Sequence, residues 1–121
     1  MPEHVAIIGA SDKPERYAYK AQQMLVDAGH HVYPISPRAQ TILGVATLPD
    51  LAAVPVPLDT VTLYIGPAHL GSVLPALIAA HPRRVIFNPG TEAPEHEAAL
   101  AAAGIQTIRA CTLVLLATGQ Y

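Results

Sequence analysis

Short apolar runs alternate along this chain with longer stretches in which apolar residues recur at helical spacing. His4–Gly9 (HVAIIG) is the first run and predicts a buried strand. After a turn, Ala21, Met24, Leu25 and Ala28 share one face of a predicted helix over Ala18–Ala28, and Gly29 is placed to stop it. His31–Ile35 (HVYPI) predicts a second strand, Ile42–Thr47 a short third, and Asp50–Val54 a single helical turn. Pro55 and Pro57 remove donors and hold Val54–Asp59 extended, as a connector. Thr60–Ile65 (TVTLYI) is rich in β-branched residues and predicts a strand. Pro67 then suits a first helical turn, Leu70, Val73, Leu74, Leu77 and Ile78 form an apolar stripe to about Ala80, and Pro82 ends it. Arg84–Phe87 is the next strand, Pro94–Ala103 a helix stopped by Gly104, Ile105–Ile108 the last strand, and Thr112–Leu116 a short helical tail.

This strand-helix-strand rhythm predicts a single α/β domain over residues 1–121: a Rossmann-like, doubly wound, mainly parallel sheet with helices on both faces. Such a sheet has about five strands here and takes ligands at the C-terminal ends of its strands, beside the topological switch point. No repeat, low-complexity tract or linker interrupts it.

Composition narrows the partner. Apolar residues make up 51% of the chain and charged residues 13%, which fits an ordered core packed with alanine-rich helices and leaves room for a homodimer. A net charge of −2, no tryptophan and one phenylalanine argue against a nucleic-acid surface. No apolar run approaches the ~20 residues that span a bilayer. Met1-Pro2-Glu3-His4 leads straight into the first strand without a leader pattern, and Cys111 is the single cysteine, so the expectation is a cytoplasmic protein without an internal disulfide.

The turn after the first strand carries the chemistry. Gly9-Ala10-Ser11-Asp12-Lys13-Pro14 has one glycine where a dinucleotide fingerprint needs three, yet a helix N-terminus follows and offers free N–H groups to an anion. At the end of strand two, where NAD enzymes place an acidic residue for the ribose, this chain has Ser36-Pro37-Arg38. A guanidinium there suits a phosphate on the adenosine ribose, either that of NADP or the 3′-phosphate of coenzyme A. Lys13 and Arg16 are placed to meet the diphosphate of the same ligand.

Four segments in register carry a resemblance over nearly the whole chain: Gly9-Ala10-Ser11-x-x-Pro14-x-Arg16; Pro34-Ile35-Ser36-Pro37-Arg38 with Leu43-Gly44 behind it; Phe87-Asn88-Pro89-Gly90-Thr91-Glu92; and Ala103-Gly104-Ile105 before Ala110-Cys111. They resemble the small stand-alone CoA-binding domain proteins, which are similar to the N-terminal CoA-binding domain of succinyl-CoA synthetase α subunits and of NDP-forming acyl-CoA synthetases. The resemblance implies a Rossmann-like domain that binds CoA or an acyl-CoA. Gly9, Ala10, Ser11 and Arg16 would serve the pyrophosphate, and Pro37 and Arg38 the adenosine phosphate end. Ile65-Gly66-Pro67 would run along the ligand, and Asn88-Pro89-Gly90 would open towards the pantetheine arm. Many relatives carry an arginine-containing stretch in place of Ile65-Gly66-Pro67 and a glutamine in place of Asn88. Ligase activity is not implied, because the phosphohistidine domain and the ATP-grasp partner of the synthetases have no counterpart in this sequence.

Cys111 follows the last strand and is the one candidate for chemistry: thiol–disulfide exchange with CoA or redox sensing, against a plain role as a small buried hydrophobe. The six histidines show no paired ligand spacing, so no metal site is expected. His30, His31 and His81 are expected at the end of the sheet away from the ligand, and His69 and His96 nearer to it. Glu92 and Glu95 stand where carboxylates cap a helix, and Glu92 is also placed to meet the pantetheine amides. The rival readings are an NADP-binding module, an enzyme or redox sensor using Cys111, and a scaffold for a protein partner.

Overall fold

The computed structural model describes residues 2–121; Met1, the first residue of the Met1-Pro2-Glu3-His4 start, lies outside them. Five parallel strands form the sheet: β1 (His4–Ile8), β2 (His31–Ile35), β5 (Thr60–Leu63), β6 (Arg84–Phe87) and β7 (Gln106–Arg109), in the order β2-β1-β5-β6-β7. The chain moves outward from β1 to β2, then returns to the far side of β1 for β5 and continues in that direction. The switch point therefore lies between β1 and β5.

Alternation along β1 divides the core. Val5 and Ile7 face Ala18 and Leu25 of α1 (Tyr17–Asp27), with Leu116 of α4 (Thr112–Ala117) packed against that cluster. Ala6 and Ile8 face the opposite way, into the larger cluster with Leu70 and Leu77 of α2 (Pro67–Ala80) and Leu100 of α3 (Pro94–Ala102). Every residue of β5 is buried. A strand covered on both faces must be apolar throughout or satisfy its polar groups internally, and Thr60 and Thr62 do the latter.

The predicted elements appear within about two residues of their expected ends, with one exception. Ile42–Thr47 is not a single strand. Two short strands, β3 (Thr41–Ile42) and β4 (Val45–Ala46), pair antiparallel as a separate hairpin around Leu43-Gly44. Both turn residues have positive φ, at 50° and 79°, the combination that a two-residue hairpin turn demands. Gln22 of α1 donates to the Ile42 carbonyl at 3.0 Å and hooks the hairpin to the domain. Leu51–Ala53 forms the expected helical turn, as a 3-10 segment capped by Asp50.

At α3 Glu95 stands in the first turn as expected, but the carboxylates that bond backbone N–H groups do so differently. Glu97 accepts from the Ala93 N–H at 3.0 Å and pairs with Arg109 on β7, whereas Glu92 accepts from Gly90 N–H at 2.9 Å and braces the preceding turn. Hydrogen bonding from Arg109 holds the Glu97 carboxyl below the usual carboxylate range. Among the described residues, no helix is long and apolar enough to cross a membrane.

Candidate functional site

Parallel strands all release their loops at one pole, and here three of those loops enclose a cleft. It is a cavity of about 280 Å³ beside the switch point, walled by the turn after β1, the turn after β5, the turn after β6 and the start of α1. Gly9 makes this geometry possible. Its φ is +88°, and a Cβ there would stand 2.8 Å from the Tyr64 carbonyl oxygen, so the β1 turn lies directly on the end of β5. The Ala10 N–H donates to Ile35 O at 3.2 Å and the Tyr64 N–H to Ile8 O at 2.8 Å, which extends both ladders to the cleft floor.

Of the residues singled out in the sequence, Gly9, Ser11, Arg16, Ile65, Gly66, Pro89 and Gly90 line this cavity. Ala10 is drawn into the β1–β2 ladder, and Lys13 and Pro14 are exposed on the loop between Ser11 and Arg16. The Ser11 hydroxyl accepts from Lys13 N–H and so orders that loop. Ser36 is buried and accepts from the Arg38 backbone and from the Gln40 side chain, while Pro37 and Arg38 are exposed beyond the end of β2. Pro67 and Glu92 line a neighbouring hollow of about 370 Å³ with His96 and the start of α3. Asn88 is buried under the cleft rather than in its wall. Cys111 precedes α4, half-buried, and lies outside the cavity lining.

Four wall residues escape a reading of the sequence: Tyr17, Ala18, Tyr64 and Thr91. Tyr17 opens α1 and is 68% exposed at the cleft mouth, with the Lys20 ammonium 5.7 Å from its ring. Tyr64 directly follows β5. Its hydroxyl is buried near the hydroxyls of Thr62 and Thr112 without a hydrogen bond to either, and burial pushes its pKa up to about 12. The phenol stays neutral. Thr91 lies within the quoted Phe87–Glu92 segment without being singled out there; Tyr17, Ala18 and Tyr64 carry no local signal, since the start of α1 and the end of β5 become walls only where they meet the neighbouring loops.

Charge pairing separates the two poles. At the far pole a larger hollow, about 460 Å³, is lined by Glu3, Asp59, Arg83 and Arg84, and His30 and His81 also lie at that end as expected. Its charges satisfy one another: Arg83 pairs with Asp59, and Arg84 with Glu3 and the Thr60 hydroxyl. Arg109 pairs with Glu97. The remaining cations, Lys13, Arg16, Lys20 and Arg38, form no ion pair among the described residues, and all four lie in the first turn of α1 or in the loops at the cleft pole. The α1 N-terminus adds its positive dipole end and carries no acidic residue in its first turn. The loop before α1 also carries the exposed carboxylates Asp12 and Glu15, which form no ion pair among the described residues either. No group of three or more metal-ligating side chains gathers among the described residues.

Known proteins agree with this architecture. A family model described as a CoA binding domain matches residues 3–117. A solved structure described as that of an uncharacterized protein is 37% identical, with a TM-score of 0.95 over 100% of this chain and 99% of that one. The uncharacterized protein YneT of Bacillus subtilis is 29% identical over 62 residues, which span 51% of this chain and 46% of that protein. A dinucleotide-forming acetyl-coenzyme A synthetase of Ca. Korarchaeum cryptofilum, in its apo form, shares the fold at 19% identity. Its TM-score is 0.77 over 88% of this chain and 26% of that chain.

Proposed function

This chain belongs to the CoA-binding domain family, and from that membership we propose that it binds coenzyme A or an acyl-CoA across the C-terminal ends of β1, β2, β5 and β6, without ligase activity. One observation carries the reading: the four cations without an ion pair among the described residues, Lys13, Arg16, Lys20 and Arg38, all stand at the cleft pole, with Arg16 in the cavity wall, where a nucleotide with three phosphate groups would compensate them. The diphosphate lies over the β1 turn against Ser11, Arg16 and the α1 N-terminus, with Lys13 at its edge. Arg38, with Pro37, takes the 3′-phosphate beyond β2. The pantetheine arm runs between Ile65-Gly66-Pro67 and Pro89-Gly90, and Tyr17 covers it from the mouth.

Isothermal titration with CoA, dephospho-CoA, NADP and NAD tests the assignment. CoA binds about tenfold more tightly than dephospho-CoA, as expected for a hydrogen-bonded charge pair worth roughly 1.5–3 kcal/mol. Arg38→Ala removes that difference and leaves dephospho-CoA binding unchanged. Equal affinities for CoA and dephospho-CoA in the wild type would dismiss Arg38 as the phosphate ligand, and preference for NADP over CoA would dismiss the whole reading.

A further inference from the structure

Asn88 sits at the end of β6, 2% exposed, with its side chain fully engaged. Its amide nitrogen donates to the Thr62 hydroxyl at 2.6 Å and to the Leu63 carbonyl at 2.8 Å, both on β5. Its amide oxygen accepts from the Thr112 N–H at 2.9 Å, at the start of α4. The orientation of the amide is fixed, because a carbonyl demands the nitrogen and a backbone N–H demands the oxygen. The hydroxyls of Thr62 and Thr112 lie 2.8 Å apart and close the ring of contacts. The Asn88 carbonyl in turn accepts from both the N–H and the hydroxyl of Thr91, at 3.0 and 2.7 Å, and folds Pro89-Gly90 into a turn.

We propose that Asn88 is a positioning residue for the cleft: one buried amide ties the ends of β5 and β6 to α4 and thereby sets the gap between the Tyr64–Gly66 wall and the Pro89–Thr91 wall. Asn88 touches no ligand. Both amide protons are spent and its oxygen faces α4, so its influence passes through backbone. Only an amide does this. A carboxylate would set its charge against the Leu63 carbonyl, and an apolar side chain would leave that carbonyl and the Thr112 N–H buried without partners. Since α4 packs against α1, whose first residues wall the cleft, the same amide is also linked to that helix. By linkage, a ligand that fixes the gap also steadies the start of α4.

The role rests on the CoA reading for its ligand, and the test separates the two. Affinities of wild type and Asn88→Ala are compared for CoA and for adenosine 3′,5′-bisphosphate, which lacks the pantetheine arm. Amide exchange is followed in both proteins without ligand. Asn88→Ala weakens CoA at least about tenfold while the bisphosphate changes less than about threefold, as expected when one buried hydrogen-bond set is lost at one wall. In the same variant, exchange accelerates together at Tyr64–Gly66, Gly90–Thr91 and Thr112. Thr62→Val keeps the side-chain shape, removes one acceptor and shifts CoA affinity in the same direction, which covers a failure of Asn88→Ala to fold. Equal loss of both ligands, unchanged CoA affinity in a folded variant, or faster exchange confined to the β6 turn would each overturn the assignment. A wild type that binds no CoA would remove the CoA reading, and the exchange pattern would still judge the clamp.

Discussion

Gly9 and Asn88 show how much of a single position can be read before its neighbours are known. In the sequence, Gly9 marks a tight turn after a strand, and that is correct. Its stricter reason is Tyr64, whose carbonyl carbon and oxygen would lie within 2.9 Å of an added Cβ. Gly9→Ala therefore combines a left-handed backbone with a clash against another backbone, which cannot swing aside. A loss of about 2–4 kcal/mol in urea unfolding is expected, with weaker ligand binding because the β1 turn is displaced. Asn88 reads in the sequence as part of a loop facing the ligand, yet the side chain points inward. What decided its orientation was the pair of threonines on β5 and α4, separated from it by 26 and 24 residues and invisible to any local pattern. Arg16 is the opposite case: its place in the loop before a helix already told where it would stand.

At the scale of elements the apolar runs were a sufficient guide, because breakers bound each of them. Gly29 and Gly104 close α1 and α3, Pro67 opens α2, and the Pro55–Pro57 connector enforces extension before β5. The hairpin of β3 and β4 was misread because its turn is Leu43-Gly44. A two-residue turn is signalled by Asn or Asp before glycine, and leucine at positive φ carries no such signal. Helix α2 holds a further oddity. Pro75 lies exposed in its interior, where proline removes a backbone donor and crowds the carbonyl one turn earlier, on Gly71. Pro75→Ala should stabilise the domain by about 1–3 kcal/mol, seen as a higher midpoint in thermal unfolding. A fall in the midpoint would mean that the proline serves the packing of α2 on the sheet.

For the molecule as a whole, the sequence could name the loops of the cleft but not which of them face one another, since that follows from strand order. Placing β5 next to β1 brings Tyr64–Gly66 against Gly9, and placing β6 next to β5 brings up Pro89 and Gly90. Two half-buried tyrosines with buried hydroxyls, Tyr64 and Tyr121, also give the whole domain an alkaline limit. Burial raises Tyr64 to about 12 and drives Tyr121 upward as well. Because the folded pKa lies above the unfolded value of 10, the neutral phenol stabilises the fold fully below pH 10, and this stabilisation drains away as pH rises towards 12. The loss attributable to Tyr64 is on the order of 2 kcal/mol. Urea unfolding between pH 8 and 12 should show that decline, and Tyr64→Phe should make it shallower by the share of Tyr64 while that of Tyr121 remains; an equally steep decline in the variant would assign it elsewhere.

Gly66 offers the cleft a means of adjustment that Gly9 denies. An added Cβ at Gly66 would meet no atom within 4 Å, although the residue lines the cavity and its backbone is ordinary. Alanine at that one position would narrow the cleft while the surrounding packing stays as it is, so the bore of the site can be changed independently of the scaffold that carries it.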